Sequence, residues 1–320
     1  MTGYIVRRII GALFVLLMLS FIVFMLVNSV PGNTLTRLLN QSPQGANLTP
    51  AQIEQYEIDL GLDKPVLERY GNWLWDAFNG DLGKSFATSL PVWSMIQDRL
   101  PRSVQLVIMA TLISSLIAIP IGVFSAIRQG GVGDYASRVF AILGLAVPNF
   151  FLAVLVVTFG AAWLGVSLST IDPPYIWDGV GRNLEGLIAP SLVLSASLMA
   201  TVMRMQRSTV LEVVNEDYVR TARAKGLAER AIIMRHVIRN SLIPVITIFA
   251  NQFAFLISGA VIVEFIFRID GIGALAVRAI RQVDFTLVLG ISLVVGFGVV
   301  FINILVDLSY AWLDPRIRYS

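Results

Sequence analysis

The sequence predicts an all-α integral membrane protein with six transmembrane helices, and three observations carry that reading. The 320 residues are 56% hydrophobic and only 14% charged, with a mean hydropathy of +0.75. Ordinary globular domains are about 45–50% apolar and about 25% charged. Six separate stretches approach or exceed the roughly 20 apolar residues that cross a bilayer. None of them alternates with a period of two, which argues against a barrel. Inside lipid the backbone must then satisfy its own polar groups as helix.

The first stretch, "IIGALFVLLMLSFIVFMLVNSV", runs from Ile9 to Val30 behind the basic pair Arg7 and Arg8. Its apolar core exceeds the 7–15 residues of a signal peptide and no A-x-A site follows, so it reads as a retained anchor. The other five run roughly Val104 to Ile127, Val139 to Val166, Leu187 to Met203, Leu242 to Phe267 and Thr286 to Trp312. The fourth is the shortest. Pro120, Pro148 and Pro190 fall inside these stretches without forming a half-repeat of the kind secondary transporters show.

The segment between the first two spans reads as a small helical external domain. Thr49 is an N-cap, Pro50 a first-turn residue and Gly61 a stop for one helix carrying Ile53, Tyr56 and Leu60. A second helix from about Pro65 carries Leu67, Tyr70, Leu74 and Phe78 along one stripe, with Trp73, Trp75 and Trp93 as interfacial anchors. "GDLGKSF" mimics the end of a phosphate loop in Gly83, Lys84 and Ser85, but Phe78 stands where the pattern requires its first Gly.

Cysteine is absent, which excludes disulfides, thiolate zinc sites and thiol catalysis. The single His236 argues against a His-rich metal site or a Ser-His-Asp triad. A net charge of +3 gives no nucleic-acid footprint.

Orientation follows from the basic residues of the loops. With the N-terminus inside, the inner loops hold 14 basic against six acidic residues, and the outside holds 10 against 13. Both termini are therefore expected in the cytoplasm. Eight of the inner basic residues lie between Arg204 and Arg239. At about 2.5–3.5 kcal/mol each at a helix centre, they do not enter the bilayer.

Within that loop, "EDYVRTARAKGL" spans Glu216 to Leu227. Glu216 precedes Arg220 by four residues, Lys225 lies in the last turn and Gly226 suits a left-handed C′ position. The predicted helix runs from about Asp217 to Lys225, with Tyr218, Thr221, Ala222 and Lys225 sharing a side. Small Ala222 and Ala224 would admit another backbone. A second helix runs from Ala228 through Met234 and Ile238 towards Pro244. A solvated orienting loop and a DNA-binding helix-turn-helix are the competing readings. The caps favour a docking element for a cytoplasmic protein, and four acids offset the bases that DNA would need.

Glu264 and Asp307 interrupt the fifth and sixth spans near their ends. Both read as interface residues paired with a nearby Arg, Arg268 being the expected partner of Glu264. The residues themselves do not name the docking partner.

"EDYVRTARAKGLAERAIIMRHVIRNSLIPVI" closely resembles the signature loop of ABC importer permeases, in Asp217, Ala222, Ala224, Gly226, Asn240 and Pro244. "LGLDKPVLERYGNWLWDAFNGDLGKSF", "RMQRSTVLEVVNEDYVRTARAKGL" and "VDLSYAWLDPRIRY" resemble the dipeptide/oligopeptide branch, so the likeness covers essentially the whole chain. Asp270 departs from the Pro or polar residue often found before "GIG", here Gly271 to Gly273.

The resemblance implies a permease subunit without catalytic residues, in a prokaryotic plasma (inner) membrane. It implies a second homologous permease, two ATPase subunits and an external substrate-binding protein as partners, with ATP and Mg on the ATPases and no cofactor in this chain. Glu216, Asp217, Tyr218, Arg220, Thr221, Ala222, Arg223, Ala224, Lys225, Gly226 and Leu227 would form the ATPase-coupling loop. Arg239, Asn240 and Pro244 would anchor it to the membrane helix. The expected division is a first transmembrane helix over 1–31, an external domain over 32–102, a five-helix core over 103–312 with its coupling loop at 204–240, and a cytoplasmic tail over 313–320. Di- or oligopeptide cargo is expected, with glutathione or nickel chelates as alternatives. A self-sufficient secondary transporter or channel is the rival class.

Overall fold

The computed structural model describes residues 2–29, 64–164 and 173–313. Among these the chain is helical apart from turns and one isolated antiparallel bridge, Lys84 to Pro91. Five helices are long and apolar enough to cross a membrane, or six if one sharply bent pair counts as a single span. The predicted fold class stands. The proposed helix from Thr49 to Gly61, the residues after 313 and the Asp307 side chain lie outside the described residues.

In chain order the helices are α1 (Thr2–Ser29), α2 (Val66–Phe78), α3 (Val92–Gln97), α4 (Leu100–Ile127), α5 (Val132–Ala146) and α6 (Asn149–Leu164). Then come α7 (Val180–Val213), α8 (Asp217–Ala224) and α9 (Glu229–Ile232). A π-helical turn, Ile233–Val237, leads into α10 (Ile238–Phe267), then α11 (Ile272–Arg281) and α12 (Phe285–Leu313). The chain divides into two compact units. Among the described residues, one takes those up to 100 with 275–304, and the other takes those from 101 to 274 with 305–313.

In the first unit α2 packs alongside α1 rather than beyond its end. The Tyr70 hydroxyl lies 2.9 Å from Ser20 Oγ, and its ring meets Phe21 and Phe24 edge-on. The predicted apolar stripe is rotated. Leu67 and Phe78 are exposed, while Tyr70 and Trp73 face α1. Aromatic packing against α1 outweighs aliphatic spacing here, because rings carry the larger contact area. Trp75 and Trp93 are exposed.

Asp284 is fully buried in the same unit. It accepts hydrogen bonds from Ser85 Oγ at 2.5 Å, from the Phe86 and Ala87 amides, and from the Leu287 amide of α12. The segment that mimics a phosphate loop thus ties a turn to a helix start. The preceding residue, Val283, has φ +55. That is a strained conformation for a β-branched side chain, held by the buried carboxylate next to it.

In the second unit α7 is central and packs against α5, α6 and α10. It has 34 residues, about 51 Å at 1.5 Å per residue. The span expected to be shortest is therefore the longest helix described. Apolarity fades beyond Met203, yet the helix continues because Gln206, Thr209 and Val210 are buried against neighbours. Gly122 of α4 permits one such approach. A Cβ there would lie 2.8 Å from the Met203 carbonyl oxygen and from Gln206 Cβ.

The third expected span is also corrected. It is two helices, α5 and α6, bent by 100°. The cause is local. Pro148 pushes Val147 out of the helical region, to φ −92 and ψ 118, and α5 ends one residue earlier.

Candidate functional site

The loop after α7 is folded around its own small core. Val219 and Ala222 of α8 are buried with Val123 and Ala126 of α4, Val210 of α7, and Ile232 and Val237. Burying a Val or Ile side chain contributes about 1.5–3 kcal/mol, so this core holds the loop in a defined place. The expected close-approach face is corrected accordingly. Ala222 meets this chain's own helices, because α8 is amphipathic and its apolar side is the Val219–Ala222 side. Ala224, Lys225 and Leu227 are exposed.

Gly226 has φ +75, as its place after the helix demands. Its amide donates to Arg223 O at 2.9 Å and the Leu227 amide donates to Ala222 O at 3.3 Å. These are the paired bonds of a Schellman end. At the other end Glu216 is extended and outside the helix. Arg220 consequently pairs with Asp217, at 3.4 Å and exposed to solvent, and not with Glu216 as expected. Thr221 Oγ1 donates back to Asp217 O.

Two contacts tie α8 to α9 and α10. Arg223 forks onto Glu229 of α9, with nitrogen–oxygen distances of 3.2 and 2.8 Å. Both side chains are exposed, so the pair contributes about 0–1 kcal/mol. Asn240 Nδ2 donates to the Tyr218 hydroxyl and to the His236 carbonyl, both at 2.9 Å. Asn240 thus bridges α8 to α10. Arg239 is exposed, and Pro244 lies inside α10 rather than at its start. The helix continues backwards from Pro244 through the π turn. A five-residue hydrogen-bond spacing there was not readable from apolar periodicity.

A second constellation was missed in the sequence. Asp134, 1% exposed, receives Arg207 Nε at 2.7 Å and a second guanidinium nitrogen at 2.9 Å, together with Ser125 Oγ at 2.7 Å. Next to it on α7, Gln206 donates to Ser241 Oγ at 2.8 Å. Asp134 and Arg207 lie 73 positions apart, beyond any local rule that pairs charges.

Glu264 is also corrected. It is buried, and it accepts from Ser103 Oγ at 2.6 Å and from the Gly273 and Ala274 amides at 2.8 and 3.1 Å. Arg268 is not its partner. It adopts the left-handed conformation that ends α10, so the chain reverses and brings the start of α11 onto the carboxylate.

The geometry defines a polytopic helical membrane protein with a rigidly seated polar loop helix and no catalytic constellation among the described residues. Residues 118–319 match the family described as "Binding-protein-dependent transport system inner membrane component", and residues 1–107 match its N-terminal region. The chain belongs to this family. It is 37% identical over 320 residues to a Brucella abortus protein named as a candidate peptide transport system permease, covering all of both chains. It is 34% identical over 324 residues to the oligopeptide transport system permease protein AppB of Bacillus subtilis, again covering both chains in full.

Proposed function

We propose that this chain is the permease subunit of an ATP-driven importer of di- or oligopeptides. An external binding protein delivers the peptide, a second permease completes the membrane pathway, and two ATPase subunits hydrolyse ATP. Both termini and the loop over 204–240 face the cytoplasm, in keeping with the charge bias of the loops.

One observation carries the reading. The buried side of α8 locks onto this chain's own helices, while its polar side and the exposed Leu227 are presented outward. Through Asn240 the same helix is tied to α10. A docked ATPase that changes shape would therefore move a membrane helix, which is what a two-state transporter requires. Peptide cargo is supported by the names of the full-length relatives.

Reconstitution into vesicles tests this. Labelled peptide should accumulate only when the second permease, the ATPases, the binding protein and ATP are all present. Accumulation by this chain alone would make it a secondary transporter. ATP-dependent uptake of glutathione or a nickel chelate, with no uptake of peptides, would overturn the cargo assignment.

A further inference from the structure

We propose that Asp134 and Arg207 are positioning residues that carry the movement of the loop into α4 and α5. The inference rests on the reading of α8 as the ATPase-docking helix.

The Asp134 carboxylate gathers three parts of the chain. Ser125 Oγ reaches it from α4, at 2.7 Å. The Gly130 amide reaches it from the α4–α5 turn, at 3.0 Å. Arg207 reaches it from α7 as a two-nitrogen fork. Arg207 lies one turn before Val210, which belongs to the core beneath α8. In the same turn of α7, Gln206 and Thr209 hold Ser241 of α10. One turn of α7 therefore grips α10 on one side and α4 with α5 on the other, immediately before the docking loop.

The chemistry suits a linkage better than a stabiliser. Replacing a buried ion pair by apolar residues is often neutral for stability. Apolar burial is non-directional and by itself fixes neither the distance nor the angle between two helices. A bidentate guanidinium–carboxylate contact fixes distance and orientation together. Two helices joined this way move as one body.

The test uses the assembled transporter at matched permease levels, with Asp134→Asn and the double variant Asp134→Asn/Arg207→Gln. ATPase co-purification and peptide taken up per ATP hydrolysed are both read. In Asp134→Asn, uptake per ATP should fall about five- to tenfold, the low end of the span typical of a lost coupling. The double variant leaves no unpaired buried charge. It should recover normal permease level and ATPase co-purification, yet keep the low uptake per ATP. A double variant that also recovers uptake per ATP shows that the pair only stabilises, and overturns the proposal. So does a double variant that fails to accumulate, or a single variant with the normal ratio. Gly226→Val in the same assay reports on docking alone. If it retains its ATPases, the docking reading fails whatever the Asp134 variants do.

Discussion

Gly226→Val is expected to abolish peptide uptake and weaken ATPase co-purification while the permease still accumulates in the membrane. Gly226 sits at φ +75, and a Cβ there would meet nothing within 4 Å. The defect is therefore one of backbone conformation and not of crowding. A β-branched residue held left-handed costs about 1–2 kcal/mol or more. The loop escapes that cost by opening the two backbone hydrogen bonds that end α8. Opening them redirects Leu227 and the exposed end of the helix, leaving the membrane helices intact. Asn enters the left-handed region far more readily, so Gly226→Asn should keep both ATPase binding and uptake. Co-purification and uptake of the two variants at equal permease level decide the matter. A Val variant that behaves like wild type would overturn the docking assignment of α8 and its turn.

Glu264→Ala is expected to give the largest loss of stability. The change strands Ser103 Oγ and the amides of Gly273 and Ala274, all of which now donate to the carboxylate. At about 1–3 kcal/mol for each unpaired buried donor, the loss is several kcal/mol. Glu264→Gln keeps an acceptor in place and should lose less. Gly273→Ala should also be severe, because its Cβ would overlap the Val261 Cα of α10, and backbone cannot step aside as a side chain can. Thermal denaturation of the detergent-purified chain orders the variants. Equal midpoints for Glu264→Ala and wild type would show that the carboxylate does not hold Gly273 and Ala274 onto α10.

The apolar spans were readable because lipid imposes length and composition on a helix, and Gly226 because only a left-handed turn suits the end of that run of helix-formers. Side-chain partnerships were not readable in the same way. Glu264 has Arg268 four residues away in sequence, yet the helix ends at Arg268 and amides from beyond the reversal reach the carboxylate first. Ala222 looked like an invitation to another protein, and its small size serves the packing of α8 onto α4 and α7. A charge introduced there, as in Ala222→Glu, would enter the loop's own core and so disturb the fold of the loop before it disturbs any partner. The length of α7 escaped hydropathy because its last turns are polar and are held by Arg207, Gln206 and Thr209, whose partners lie far off in sequence. The break at Pro148 carried a signal, the bias of Val147 towards extended backbone, but the apolar run continues across it unchanged.

On the proposed function, α8 and the turn after it seat directly on an ATPase in the cytoplasm. The chain has no cysteine, and Leu227 is 46% exposed, so a single photoreactive cysteine label at Leu227 addresses one place. Irradiation of the assembled transporter in native membranes, with and without ATP, should give one product joining this chain to an ATPase subunit, with a yield that changes between the two conditions. Labelling of lipid alone, or of the external binding protein, would show that α8 does not seat on an ATPase.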